Sequence, residues 1–176
     1  MTDGSKLTFE AVRGYERGLV ERLLTESYAA LMAELNAQQA RHFDWREFDR
    51  DVFDRPDTVG ACTFITCLDG EVVGLGSFDH RPRPRKSGQR PERGIVGHNC
   101  ILPAYGRKGF GKRQLQEIVA RLGASGVRTV VATTGEHAFF LPAQKMYMAC
   151  GFHEVQRLEP NHDRPIRAIE YQKQLV

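Results

Sequence analysis

No run in this 176-residue sequence approaches the ~18 consecutive apolar residues of a membrane-spanning helix, and the polar opening MTDGSKLTFE has no apolar secretion core. A membrane partner is therefore not expected, and a cytoplasmic setting is. Cysteine is scarce: the four residues at 62, 67, 100 and 150 have neither C-x-x-C spacing nor histidine partners at zinc-finger spacing. That pattern argues against a disulfide framework and against a metal site, and leaves reduced, packed thiols. The net charge is only +3, too little to mark the whole chain as a nucleic-acid binder. There is one tryptophan and no internal repeat. With 41% apolar residues the chain has material for one core, so a single domain over 1–176 is expected.

What the sequence does contain is concentrated in 94–112, GIVGHNCILPAYGRKGFGK, a strand-like run that breaks at a proline and empties into a short basic loop rich in glycine. Gly106, Gly109 and Gly111 lack a Cβ, so successive backbone N–H groups can turn toward an anion. Leu115, Ile118, Val119 and Leu122 recur at helical spacing, which predicts an amphipathic helix over 112–122. The loop thus lies at a helix N-terminus, where the dipole and unpaired N–H groups favour phosphate, with Arg107, Lys108 and Lys112 adding charge. Neither the G-x-G-x-x-G fingerprint nor the G-x-x-x-x-G-K-[ST] loop is matched by G-R-K-G-F-G-K. A plain strand-to-helix turn would account for the glycines, though not for the basic pair.

A second segment, 139–152, reads FFLPAQKMYMACGF. Pro142 can open a helix and Gly151 can close it in a left-handed cap. Ala143, Met146, Tyr147 and Cys150 then share a face, with the Tyr147 phenol turned inward. On its own such a tyrosine reads as a core residue with a locally satisfied hydroxyl.

Taken together, the two segments resemble the GNAT superfamily of acyl-CoA N-acyltransferases. Gly106-Arg107-Lys108-Gly109-Phe110-Gly111 occupies the position of the family's Q/R-x-x-G-x-G/A signature, and Ala143, Tyr147, Gly151 and Phe152 meet its later A-x-x-x-Y-x-x-x-G-F motif. Gly106 stands where the family has Gln or Arg, and Phe140 where an asparagine is common. The resemblance covers nearly the whole chain. It implies an α/β (α+β) fold, a mixed and mostly antiparallel central sheet of six to seven strands flanked by helices, with splayed fourth and fifth strands.

The same resemblance implies an acetyl-CoA-dependent N-acetyltransferase, without metal, acting on a primary amine of a small molecule or peptide by direct attack in a ternary complex. Its cofactor-binding residues would be Ile101, Leu102, Arg107, Lys108, Gly109, Phe110, Gly111, Lys112, Phe140 and Tyr147. A backbone N–H near the end of the fourth strand, of Ile101 or Leu102, would hold the thioester oxygen as charge develops there. Tyr147 would protonate the departing thiolate, a moderate leaving group. For the general base, His98 and Glu136 stand level, with His137 behind them. His98 and Asn99 are neighbours on a strand and so face opposite ways. A thiol route through Cys100 is less favoured, because an apolar setting makes a thiol inert.

The remaining elements are a strand over 7–12, a largely helical stretch over 15–35, a short helix within 45–53, and strands over 62–68 and 71–78 joined by a type I′ turn at Asp69-Gly70. Strands follow at 94–102, 127–133, 152–158 and 166–175. The segment 28–57, with His42, Phe43, Trp45 and Phe48, falls where the family often builds an acceptor wall, and the acceptor itself stays open. The proline-rich basic run 80–94 reads as an exposed loop. Two other readings are carried forward: a non-catalytic acyl-CoA-binding or regulatory module, and a nucleic-acid contact through 81–93. The resemblance also admits a homodimer, formed through helices or by the closing strand 166–175 pairing across chains.

Overall fold

The computed structural model describes residues 5–80 and 93–175. Its strands, β1 (Leu7–Ala11), β2 (Thr63–Leu68), β3 (Glu71–Asp79), β4 (Arg93–Ile101), β5 (Thr129–Gly135), β6 (His153–Leu158) and β7 (Ala168–Gln174), form one sheet in the order β1-β2-β3-β4-β5-β7-β6. All the registers described are antiparallel except β4 with β5, which is parallel. The chain divides into two compact units, Met1–Ser77 with His98–Leu115, and Phe78–Gly97 with Gln116–Val176.

In the first unit the helical stretch is interrupted: α1 (Leu19–Ser27) and α2 (Ala29–Met32) are separate, followed by α3 (Ala37–Ala40) and α4 (Arg46–Asp54). The delayed start of α1 has a physical cause. Gly18 lies at φ +89°, and the buried carboxylate of Asp49 accepts the N–H groups of Gly18 and Glu21 at 3.0–3.1 Å, capping α1 from a neighbouring helix. The apolar face of α1 (Leu19, Val20, Leu23, Leu24) packs with Val12, Val52, Ile65, Cys67, Leu75 and Cys100 into one core. Burying that set removes several large apolar side chains from water, each contributing about 1.5–3 kcal/mol. Asp69 and Gly70 have φ of +51° and +88°, the two left-handed positions of the expected type I′ turn.

Helix α5 (Phe110–Ala124) opens two residues earlier than the apolar spacing predicts. Gly109, at φ +82°, completes the turn, and its carbonyl takes the N–H of Arg113 at 3.1 Å, so Gly111 belongs to the first helical turn. In the second unit β5 begins at Thr129 and not at 127, because the N–H of Val127 still closes the helix end on the carbonyl of Leu122 at 3.2 Å.

The parallel ladder is short: it pairs Arg93–Ile95 of β4 with 129–131 of β5 and stops. Beyond it, among the described residues, β5 is paired along β7. Helix α6 (Leu141–Ala149) ends as expected, with Gly151 at φ +82° and the N–H of Phe152 reaching back to the carbonyl of Tyr147 at 3.0 Å. The closing strand does not offer a free edge: β7 is hydrogen-bonded to β5 on one side and β6 on the other, so cross-chain pairing through 166–175 is corrected. The β6 edge carries a register shift between Glu154 and Gln156, a device that discourages strand addition. Except for Arg93, which is exposed, the basic 81–93 run lies outside the described residues.

Candidate functional site

The first unit holds the phosphate-type loop. A turn at Pro103–Tyr105 bonds the N–H of Gly106 to the carbonyl of Pro103 at 3.1 Å, so this N–H is internal to the turn. The next six N–H groups, from Arg107 to Lys112, find no acceptor among the described residues. Left-handed backbone occurs at Arg107 (φ +63°) and Gly109 (φ +82°), while Gly106 is extended. The local reversal therefore falls on the arginine and the middle glycine, and the first and last glycines of the motif need no positive φ. A row of N–H donors ending on a helix N-terminus has the geometry and dipole that favour an anion. The side chains of Arg107, Lys108 and Lys112 are exposed beside it, and Phe110 is half-buried.

At the end of β4 the N–H of Leu102 is donated to the carbonyl of Val73 at 2.8 Å. His98 and Asn99 diverge, as strand alternation requires. The Asn99 side chain meets α5, with its Nδ2 donating to the Gly111 carbonyl at 3.5 Å and its Oδ1 accepting from Gln114 Nε2 at 2.5 Å. The His98 ring instead packs against Trp45 and Phe48, with centroids 5.0 and 4.7 Å away, while the backbone N–H of His98 donates to Ser77 Oγ at 2.7 Å. Burial among these rings pushes the imidazole down to about 4, so it is neutral at physiological pH. Trp45 also contacts Tyr28 and Phe43, making a half-buried aromatic wall. Burial pushes the Cys100 thiol up to about 11, which keeps it protonated and unreactive.

Gln114 is the residue the sequence reading passes over. It is fully buried on α5, and its amide reaches three strands: it accepts from Thr66 of β2 and donates to the carbonyl of Leu75 in β3 at 2.8 Å and of Cys100 in β4 at 3.3 Å. Its only signal in the sequence is a polar residue directly before the apolar Leu115, one position outside the predicted stripe.

The second unit holds the remaining candidates. Tyr147 is buried, stacked on Tyr171 at 5.5 Å and edge-on to Phe152 at 5.4 Å. Burial raises its phenol well above the usual range, so it is a proton donor and not a phenolate. Unlike an ordinary core tyrosine, its hydroxyl has no hydrogen-bond partner among the described residues. Glu136 is committed to its surroundings: its carboxylate is paired with Arg157 at 2.5 Å and Arg167 at 3.4 Å, and its N–H bonds the Arg167 carbonyl at 2.8 Å. His137 Nδ1 accepts the N–H of Phe139 at 3.1 Å, capping the turn that leads into α6. The Phe140 ring lies where a side chain on Gly135 would project, and packs edge-on to Phe139.

Among the described residues no group of three or more His, Cys, Asp or Glu side chains could hold a metal ion, and no helix is long and apolar enough to cross a membrane. A mixed sheet, a parallel ladder that stops after three pairs, and a loop of free N–H groups opening a helix define a fold of the acyl-CoA-binding transferase class. Residues 20–152 match the model of the acetyltransferase (GNAT) family, and the chain belongs to that family.

Solved structures agree on the fold. A GNAT-family protein from Desulfovibrio desulfuricans is similar at 17% identity and TM-score 0.67, covering 97% of this chain and 98% of its own. YncA from Salmonella typhimurium, solved with acetyl-CoA, is 15% identical over 98% and 94% of the two chains, with TM-score 0.67. A ribosomal-protein-alanine N-acetyltransferase from Brucella melitensis is 15% identical over 97% and 99%, again with TM-score 0.67. No curated protein sequence matches the chain.

Proposed function

We propose that this protein transfers the acetyl group of acetyl-CoA to a primary amine by direct attack within a ternary complex. The observation that carries this reading is the run of six unpartnered N–H groups from Arg107 to Lys112 at the start of α5. They would hold the pyrophosphate, with the charges of Arg107, Lys108 and Lys112 at the rim. Acetyl-CoA supplies the activated acyl group; the rest is the work of this chain's residues. Because the Leu102 N–H is already engaged with Val73, the Ile101 N–H is the donor assigned to the thioester oxygen. Tyr147, neutral and with an uncommitted hydroxyl, protonates the leaving sulfur.

His98 is the better base of the two level candidates. Its ring is neutral and can accept a proton, whereas Glu136 is held by two guanidinium groups. So weak a base cannot strip an alkylammonium ion; it takes its proton only after attack has made the amine nitrogen acidic, so the acceptor enters as the neutral amine. The neutral thiol of Cys100 supports direct transfer over a covalent acyl-enzyme. Acceptance of a ribosomal-protein alanine, named for the Brucella relative, and of small amines are both compatible with this assignment.

Calorimetric titration with acetyl-CoA, CoA and desulfo-CoA tests the reading, followed by thiol release over a panel of amines. Saturable binding with amine-dependent release is the expected result, and absence of binding by folded protein free of copurified CoA overturns it. The lowered basicity of His98 gives one observation in favour of a non-catalytic acyl-CoA-binding module. Binding without turnover on any amine would select that alternative.

A further inference from the structure

We propose that Gln114 is a positioning residue that fixes the Cys100–Ile101 peptide and thereby aims the Ile101 N–H at the acyl oxygen. This rests on the acetyltransferase reading above. The orientation of the Gln114 amide follows from its partners: the carbonyls of Leu75 and Cys100 can only accept, so the nitrogen must face them and the oxygen must face the Thr66 hydroxyl. With both ends engaged and the side chain fully buried, the amide cannot flip without leaving polar groups unpaired.

The consequence passes through peptide geometry. The carbonyl of Cys100 and the N–H of Ile101 belong to one planar unit and point in opposite directions. A donor that holds the carbonyl on the Gln114 side therefore directs the N–H away from it. Gly74 lies close against the same peptide: a Cβ there would collide with the Cys100 oxygen and lie 3.1 Å from the Ile101 Cα. The peptide is thus held between a buried amide and a position that admits no side chain. Nε2 carries two hydrogens for three acceptors, so the Cys100 carbonyl, at 3.3 Å, shares one with a nearer partner. Asn99, the nearest of the three at 2.5 Å, also donates to the Gly111 carbonyl, so one side chain joins the end of β4 to the first turn of the phosphate-type helix.

The test is isotope-edited infrared spectroscopy of acetyl-CoA labelled with carbon-13 at the acetyl carbonyl, bound to wild type, Gln114→Met and Thr66→Val. The wild type should lower the carbonyl stretch relative to free acetyl-CoA, and Gln114→Met should lose most of that shift. Calorimetric affinity for CoA, which lacks the acetyl group, should stay within about twofold, while kcat falls roughly tenfold, equivalent to about 1.4 kcal/mol. Thr66→Val removes the partner of the amide oxygen but leaves the donor on Cys100, so it should lower Tm and keep the shift. A full shift in Gln114→Met, or an equal loss in Thr66→Val, overturns the proposal. If Gln114→Met does not fold, the wild type decides: the Ile101 amide proton should move downfield in the NMR spectrum with acetyl-CoA and not with CoA, and equal responses overturn the assignment. Failure of wild type to bind CoA at all would instead remove the acetyltransferase reading, and this one with it.

Discussion

At the β4–α5 corner of the first unit, the groups left without acceptors among the described residues are main-chain N–H groups, and the polar side chains nearby, Gln114 and Asn99, are bonded to the backbone around them. At the β5–α6 corner of the second unit the roles are reversed. There the backbone closes on itself, with the Glu136 N–H on Arg167 and the Phe152 N–H on Tyr147, and a side chain, the Tyr147 hydroxyl, is left uncommitted. The difference separates two ways of building chemistry. Backbone donors bring geometry with no titration, which suits holding phosphate and an acyl oxygen. A buried phenol brings a proton, which suits a leaving group.

The second corner depends most heavily on Tyr147. Tyr147→Phe keeps the ring that stacks on Tyr171 and Phe152 and removes only an unpartnered hydroxyl, so the fold should survive with Tm nearly unchanged. Turnover at saturating amine should fall by about a hundredfold, the lower end of what a positioned general acid contributes. Thiol release measured beside circular dichroism checks both halves; parental turnover would return Tyr147 to the core.

In the first corner the sensitive position is Gly109. Its φ of +82° is strained for any L side chain, and Gly109→Val places a β-branched residue there at a cost of roughly 1–2 kcal/mol. Part of that cost falls on the loop, and calorimetry should show CoA binding weakened by about tenfold with helix content retained. Gly106→Ala is the internal control: its φ of −65° is ordinary and a Cβ meets only the Pro103 carbonyl at 3.2 Å, so the effect should be much smaller.

His98 allows the environment to be read through pH. Its folded pKa of about 4 lies below its ordinary value near 6.5, so the unfolded chain binds the proton first and stability is lost as pH falls from 6.5 toward 4. The slope attributable to one such group is at most about 1.4 kcal/mol per pH unit, reduced by the partial exposure of the ring. Urea midpoints at pH 7, 5.5 and 4.5 should fall for wild type and fall less for His98→Phe. Parallel slopes would mean that the aromatic wall tolerates the imidazolium.

The two corners also differ in how much of each is written locally in the amino-acid sequence. The hairpin at Asp69-Gly70, the turn at Gly109 and the α6 cap at Gly151 are local patterns in which residue type fixes backbone conformation, and the inward Tyr147 follows from helical spacing. The left-handed Arg107 has no such signal, because nothing in its residue type marks a positive φ. Gln114 escapes because its meaning lies 15 to 48 residues away, in Asn99, Leu75 and Thr66. The early start of α5 and late start of β5 escape because single backbone hydrogen bonds at Gly109 and Val127 decide them, not apolar spacing. The status of β7 as an interior strand depends on where β6 pairs, and no pattern within 166–175 records that.

Glu136 gives the smallest effect and the finest test. As a residue type directly after β5 it has the credentials of a base, yet Arg157 arrives from β6 and Arg167 from the approach to β7 to occupy its carboxylate. Those arginines are in turn paired with Glu154 and Glu159, so Glu136 is the shared acid of a network that ties the end of β5 to its neighbours. Glu136→Gln keeps the shape and an acceptor for Arg157 while removing the charge. Turnover should change less than about threefold and Tm should drop slightly, since half-exposed ion pairs of this kind contribute about 0–1 kcal/mol. A loss approaching that of Tyr147→Phe, with a pH–rate limb that vanishes in the variant, would transfer the role of base from His98 to Glu136 and show that an ion-paired carboxylate can be released when the amine enters.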